Sequence, residues 1–592
     1  MVAMSNLISL GIADLRDSYR TGRQTPADVM DRLLDTSAGL DERHVWITRL
    51  PREAVMSYVT ALDPSAIESL PLYGIPFVIK DNIDLAGVPT TAGCPAFAYT
   101  PARSAFAVQR LLDAGAIPLG KTNLDQFATG LVGARSPYGA CRNSVDPAFI
   151  SGGSSSGSAV AVASGLASFS LGTDTAGSGR VPAAFNNLIG LKPSNGSLST
   201  RGVVPACRSL DSVSIFALTA QDAAAVLDAA EGVDAEDPYS RRNVARALRG
   251  LRVGVPRAEQ LRFFGDADYE RLFDEAVSTV EQLGGRVVAV DLAPHLEAAR
   301  LLYEGPWIAE RYAAVGAFIE AHPDAVHPIT RQIIEAGKYP TAVAAFEGAY
   351  RLRELQRRSE AVWSDADLIL TPTAGTIYRH QELDTDPIRL NANLGYYTNF
   401  LNLFNLAGVA VPTGFRNDGL PFGVTLIGPC GTDRELLRLA GRLQRAALRL
   451  PDEGAASPAI QAGYVAIAVC GAHMQGLPLN HQLQDRGGYL VRATATAARY
   501  RLFALPGGPP RRPGMIRVNH DGAAIEMEVW ALPTNQVGSL VAEIPAPLGV
   551  GKIELDSGEW VIGFLCEGYA VEAAADITRY GGWREYVKAA VL

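Results

Sequence analysis

An α/β fold over roughly the first 450 residues, a mixed sheet covered by helices, followed by a smaller β-rich α+β domain, is predicted by three observations. Short apolar runs alternate with stretches of helical periodicity from about residue 25 to beyond residue 400. Past Pro451 the texture changes to short alternating runs separated by Gly/Pro turns such as Pro506-Gly507-Gly508-Pro509-Pro510. The 592 residues are 48% hydrophobic and only 19% charged, which gives a large core and excludes a disordered chain.

In chain order, Thr25-Pro26-Ala27-Asp28 reads as an N-cap, an N1 proline and an acid at N3, opening a helix that carries Val29, Met30, Leu33 and Leu34. Tyr73 to Ile79 reads as a buried strand that delivers Lys80 at its end, and Ile117 to Gly120 as a second strand after a helix over Ala105 to Ala114. Ala159-Val160-Ala161-Val162-Ala163 has the small, apolar character of a helix packed inside a core. Further strands are expected at Leu251 to Val255, Arg286 to Val290 and Leu368 to Leu370, with a helix over Asp268 to Gln282. Thr432-Asp433-Arg434-Glu435 has the pattern of a capping box, opening a leucine-rich helix that ends at Pro451. Pro451 to Pro458 reads as a linker, which places the domains at 1–455 and 456–592, with strands in the second at Tyr489 to Arg492 and Gly551 to Leu555.

Composition excludes several functions. Sixty-two acids against 53 bases give a net charge of −9, without the basic excess that neutralising many phosphates requires, so no nucleic-acid partner is expected. The first residues lack the basic front of a secretory signal, and no run approaches the ~20 apolar residues that span a bilayer, so a cytoplasmic protein without membrane contact is expected. Six scattered cysteines suit reduced, buried thiols better than a disulfide framework.

The chemistry concentrates in Ser151-Gly152-Gly153-Ser154-Ser155-Ser156-Gly157-Ser158 and in Gly172-Thr173-Asp174-Thr175-Ala176-Gly177-Ser178-Gly179-Arg180. A Gly/Ser cluster is ordinarily a flexible linker, but a linker does not run straight into a core helix, and dense glycine implies close backbone approach. No Gly-Lys-Ser/Thr follows, so this is not a phosphate-binding loop. Gly153 to Gly157 satisfies the G-x-S-x-G nucleophile elbow with Ser155 central; that reading requires a partner among His295, His322, His327 and His380, none of which lies in a telling motif.

Taken in order, Gly74-Ile75-Pro76-Phe77-Val78-Ile79-Lys80-Asp81-Asn82, Gly120-Lys121-Thr122-Asn123, Gly152-Gly153-Ser154-Ser155-Ser156-Gly157 and Gly172 to Pro182 resemble the amidase signature family over roughly residues 5 to 450. The resemblance implies a Ser-cisSer-Lys triad that cleaves amides, with Ser178 as nucleophile, Ser154 as bridging serine after a cis peptide, and Lys80 as base. A neutral Lys80 can take a proton relayed through Ser154 if burial lowers its pKa from ~10.4 to near neutrality. Backbone N–H groups of Thr175, Ala176 and Gly177 are the expected oxyanion hole, with Asp174 and Arg180 bracing the turn. Gly179 stands where the family usually has an aliphatic residue.

For the substrate, Leu302 to Tyr312 is similar to a segment of allophanate hydrolases in which a tyrosine and an arginine eight residues apart bind the substrate. That similarity implies Tyr303 and Arg311, taken as lying about 80° apart on one helix, with a main-chain contact near Gly130. Arg311 would grip a carboxylate bidentately while Tyr303 adds a hydroxyl. The stretch Val465 to Asn480 is similar to the C-terminal domain of the same enzymes, absent from simple amidases; His473 is its candidate functional residue. A metal site at Cys470, His473 and His481 lacks zinc spacing and a fourth ligand, and no metal or organic cofactor is expected. The implied activity is hydrolysis of allophanate through N-carboxycarbamate in urea, biuret or s-triazine breakdown, by a homodimer that can associate with an upstream urea carboxylase or biuret hydrolase. The competing expectations are a glutamine-hydrolysing amidotransferase subunit or another amidase of the family, and an inactive amidase scaffold serving as a binding module.

Overall fold

The structure, a computed structural model, describes residues 9–37, 42–248, 250–450, 460 and 463–590. The chain forms two compact units, Met1–Arg246 with Leu251–Leu450, and Ala247–Gly250 with Pro451–Leu592. The expected linker, and with it the 455/456 boundary, lies outside the described residues.

The larger unit is built on an 11-stranded mixed sheet. Its strands are β1 (Trp46–Arg49), β2 (Pro76–Lys80), β3 (Ile117–Thr122), β4 (Phe169–Asp174), β5 (Ile189–Lys192), β6 (Ser212–Ala217), β7 (Arg252–Pro256), β8 (Arg286–Val290), β9 (Leu368–Pro372), β10 (Ala407–Phe415) and β11 (Pro421–Gly428). They lie in the order β1-β3-β2-β4-β6-β5-β10-β11-β9-β7-β8. Strand β2 runs parallel to both β3 and β4, pairing Phe77 with Phe169 and Ile79 with Leu171. Every residue of β2, β3, β4 and β6 is buried, because helices cover both faces; such strands read as continuous apolar runs rather than alternating ones. The rings of Phe77 and Phe169 stack 5.1 Å apart across the β2–β4 pair.

The helix Ser156–Ala163 lies under this centre, and its small residues have a steric cause. A Cβ on Gly157 would stand 2.3 Å from the Val45 carbonyl oxygen and 2.6 Å from the Asn123 amide, so the helix can approach only without a side chain there. The helix Pro26–Ser37 has the expected cap: Thr25 N–H donates to Asp28 Oδ2 at 2.8 Å and Asp28 N–H to Thr25 Oγ1 at 3.2 Å.

Two local expectations are corrected. Thr432 precedes the helix Asp433–Leu448, but its hydroxyl donates to the Pro429 carbonyl at 2.8 Å instead of capping, so no capping box forms. Tyr303 and Arg311 do not share a helix: Tyr303 is in Ala293–Glu304 and Arg311 in Trp307–Ala321. Pro306 lacks an amide hydrogen and disfavours helical geometry at Gly305, which is extended (φ −102°, ψ −168°), so the helix breaks there.

The smaller unit holds a five-stranded sheet in the order β13-β16-β12-β18-β17 and a three-stranded one, β15-β14-β19. Its strands are β12 (Tyr464–Val469), β13 (Tyr489–Ala495), β14 (Tyr500–Ala504), β15 (Pro513–Arg517), β16 (Glu526–Pro533), β17 (Leu548–Glu554), β18 (Trp560–Cys566) and β19 (Ala575–Asp576). Along β16, Met527, Val529 and Ala531 enter one core cluster while Trp530 and Leu532 enter another, the period of two of a strand buried on both faces. Among the described residues no helix is long and apolar enough to cross a membrane.

Candidate active site

Lys80 ends β2 and Asp174 ends the parallel neighbour β4, so both emerge at the carboxyl end of the strands, where α/β sheets place their ligands. Ser154 is two residues before the helix Ser156–Ala163, and Ser178 is in the turn after β4. The peptide bond Gly153–Ser154 is cis. These placements bring three residues from distant positions into one line: Lys80 Nζ is 2.7 Å from Ser154 Oγ, and Ser154 Oγ is 3.0 Å from Ser178 Oγ.

All three side chains are buried, with Ser178 4% exposed. Burial pulls the Lys80 pKa down to about 7, against the opposing pull of Asp125, Asp211 and Asp174, so a neutral amine is accessible near pH 7. With Lys80 neutral, both contacts can run from Ser178 to Ser154 and from Ser154 to Nζ, since each hydroxyl can donate as well as accept. Lys80 Nζ also contacts Thr173 Oγ1 at 2.7 Å, a partner that sequence reasoning passed over although it lies in the motif.

The turn Asp174 to Arg180 is held from several sides. Arg180 Nε and Nη2 each donate to Asp174 at 2.9 Å, and Asp174 accepts from the Gly177 N–H at 2.9 Å and the Gly179 N–H at 3.0 Å. Burial alone would raise the Asp174 pKa, but Arg180 overcomes it and the carboxyl is held below its usual range. The Gly177 N–H is thus engaged with Asp174, leaving Thr175 and Ala176 as the expected amides to consider for an oxyanion. Gly177 has φ +131°, and a Cβ there would meet Thr398 Oγ1 at 2.4 Å. A side chain at Gly179 would meet Ser214 Cβ at 2.5 Å, which accounts for glycine where an aliphatic residue was expected. From over two hundred residues away Thr398 Oγ1 donates to the Ala176 carbonyl at 2.6 Å, and Asn402 Nδ2 to the Asp174 carbonyl at 2.7 Å; no local sequence signal announces either.

Despite the helix break, Tyr303 and Arg311 meet. Arg311 Nη2 lies 3.4 Å from the Tyr303 hydroxyl and its guanidinium 5.3 Å from the ring centre, while Nη1 lies 3.3 Å from Thr129 Oγ1. Arg311 is 2% exposed and its Nε has no hydrogen-bond partner among the described residues, an arrangement that suits a bound anion. Gly130, beside Thr129, has φ +155°, and a Cβ there would stand 2.7 Å from Asp125 Oδ2.

The nucleophile-elbow alternative is overturned. Ser155 Oγ is tied to the Thr173 backbone, donating to its carbonyl at 3.1 Å and accepting from its amide at 3.3 Å. His295 sits against Phe400 and Phe404 instead, and burial takes its pKa down to about 4.

In the smaller unit, His473 lines a pocket with Cys470, Gln482, Arg512 and Phe564. Its Nε2 lies 2.8 Å from Gln482 Oε1, and burial lowers its pKa, so the ring is neutral near pH 7. His481 is engaged elsewhere, with Nδ1 2.9 Å from the Pro478 carbonyl, and among the described residues no group of three or more His, Cys, Asp or Glu side chains is placed to hold a metal.

Comparison with known proteins agrees with this architecture. Residues 28–437 match the Amidase family and residues 465–588 the allophanate hydrolase C-terminal domain. This chain therefore belongs to the amidase family, and it carries the C-terminal domain of allophanate hydrolases as well. It is 41% identical to urea amidolyase of Saccharomyces cerevisiae over 98% of this chain, but spans only 33% of that longer protein. The structure of Kluyveromyces lactis allophanate hydrolase superposes with a TM-score of 0.81 at 39% identity, covering 98% of this chain and 99% of that one. A glutamyl-tRNA(Gln) amidotransferase polypeptide of Streptococcus pneumoniae is 33% identical over 67% of this chain and 87% of its own length.

Proposed function

We propose that this chain is an allophanate hydrolase that cleaves the terminal amide of allophanate with Ser178, Ser154 and Lys80. Ser178 Oγ attacks the carbonyl while its proton passes through Ser154 to neutral Lys80. The oxyanion is met by the Thr175 and Ala176 amides, the Gly177 amide serving to hold the turn. Lys80 then returns the proton through Ser154 to the departing nitrogen, ammonia leaves, and water releases N-carboxycarbamate from the acyl-enzyme by the same relay. Arg311, Tyr303 and the main chain at Gly130 receive the substrate's carboxylate.

The single observation that carries this reading is the buried Arg311 guanidinium, its Nε unpartnered among the described residues, beside the Tyr303 hydroxyl in a chain that shares nearly its full length with an allophanate hydrolase. In the smaller unit, His473 and its neighbour Arg512 assist loss of CO2 from N-carboxycarbamate. The enzyme acts in the cytoplasm as a homodimer, on allophanate formed from urea, biuret or an s-triazine, and can associate with the urea carboxylase or biuret hydrolase that supplies it.

Ammonia release from allophanate, malonamate, biuret and glutamine, each beside an enzyme-free blank, tests the reading. Preference for allophanate supports it; preference for glutamine moves the chain to the amidotransferase function, and no turnover leaves an inactive scaffold.

A further inference from the structure

The segment 206–211 touches both halves of the site. At one end the buried Asp211 carboxylate accepts from the Thr175 hydroxyl and from the Ala206 and Cys207 amides at 2.8 and 3.2 Å. Thr175 belongs to the turn around the nucleophile. Two residues before Asp211, Ser209 is clamped to Glu310: its N–H donates to Oε1 and its hydroxyl to Oε2, each at 2.7 Å. Glu310 is the residue before Arg311 in the helix Trp307–Ala321. In the same segment, Cys207 and Leu210 are buried in one apolar cluster with Ala176, against which Tyr303 and Trp307 pack, and the Leu210 carbonyl accepts from Asn402 Nδ2 at 2.9 Å. The same Asn402 nitrogen donates to the Asp174 carbonyl.

We infer that Glu310 and Asp211 are positioning residues: through segment 206–211 they fix the distance between the Arg311 guanidinium and the turn carrying Ser178. Recognition of the carboxylate and orientation of the carbonyl thus form one rigid unit. The inference rests on the reading that Arg311 receives the substrate's carboxylate. Physically, a carboxylate accepting two hydrogen bonds from one serine fixes both the rotation and the advance of the helix at that point. Without the clamp, the hydrogen-bonded link between segment 206–211 and the residue before Arg311 is lost, and only packing holds the helix against the turn. An ångström-scale shift between binding group and nucleophile is worth on the order of 100-fold in rate.

The test is a double-mutant cycle on allophanate with Glu310→Ala and Arg311→Met in the full chain. Glu310→Ala is expected to lower kcat far more than it raises KM, by on the order of 100-fold, and Glu310→Gln, which keeps the two-pronged shape, to recover most of the loss. In the Arg311→Met background Glu310→Ala is expected to add little, because its effect passes through the arginine. If the two losses multiply, Glu310 contributes only general stability and the inference is overturned. If Glu310→Ala leaves kcat intact while Arg311→Met does not, the inference falls and the carboxylate reading stands. If Arg311→Met itself changes nothing, both fall.

Discussion

The proposed triad of the larger unit and the His473 pocket of the smaller one are built to different standards. Beside Ser178 the Asp174 carboxylate is held four times, twice by Arg180 and once each by the Gly177 and Gly179 amides. Among the described residues His473 has one side-chain hydrogen bond, to Gln482, and a ring contact with Phe564 at 5.3 Å. A site that must generate a nucleophile from a serine needs its geometry over-determined, because the proton relay fails if either short contact opens. A site that, on the proposed reading, only helps an unstable product decompose needs less, and its residues should tolerate change.

Substitutions sharpen or break this contrast. Ser178→Ala removes the proposed nucleophile and should lower ammonia release from allophanate by on the order of 10⁴-fold or more; residual turnover near the wild-type level breaks the contrast at its base. Arg180→Met leaves the Asp174 carboxylate buried without its cation, and breaking such a pair costs about 3–5 kcal/mol, so the unfolding midpoint in denaturant should fall steeply. An unchanged midpoint means the turn is not held as the geometry indicates. Arg311→Lys replaces a fork by a point charge and should weaken allophanate kcat/KM by about 10- to 100-fold, since hydrogen bonds to charged groups are worth roughly 1.5–3 kcal/mol. His473→Asn should have the smallest effect: the first ammonia appears at the wild-type rate while CO2 release lags. A large loss of the first ammonia would make the smaller unit part of the amide chemistry and erase the distinction.

Much of this is legible in the residues, for identifiable reasons. Lys80, Ser154 and Ser178 stand out because each lies in a short run rich in glycine or hydroxyl side chains whose order carries the family pattern. The strands β2, β3 and β8 are readable as apolar runs. The break between Tyr303 and Arg311 is masked because helical periodicity continues across Gly305-Pro306, although proline itself gives the signal. The cap at Thr432 fails because its hydroxyl is turned back to donate to the Pro429 carbonyl and accepts from no amide of the helix's first turn. Thr398, Asn402 and Asp211 are invisible in the sequence: they act on the turn from distant segments, and a single polar residue in a loop does not reveal which backbone it will brace.

The central claim is that a buried, neutral lysine drives amide cleavage in the larger unit. Its most direct test is the pH dependence of kcat/KM for allophanate. The Lys80 pKa is lowered by burial to about 7, so the amine is protonated and unable to accept a proton below that pH and free above it. The expected profile rises with pH through an apparent pKa of about 7 to a plateau, and Lys80→Met loses both the activity and the rise. A wild-type profile flat from about pH 5 to 9, or a Lys80→Met variant that keeps wild-type turnover, would contradict the account.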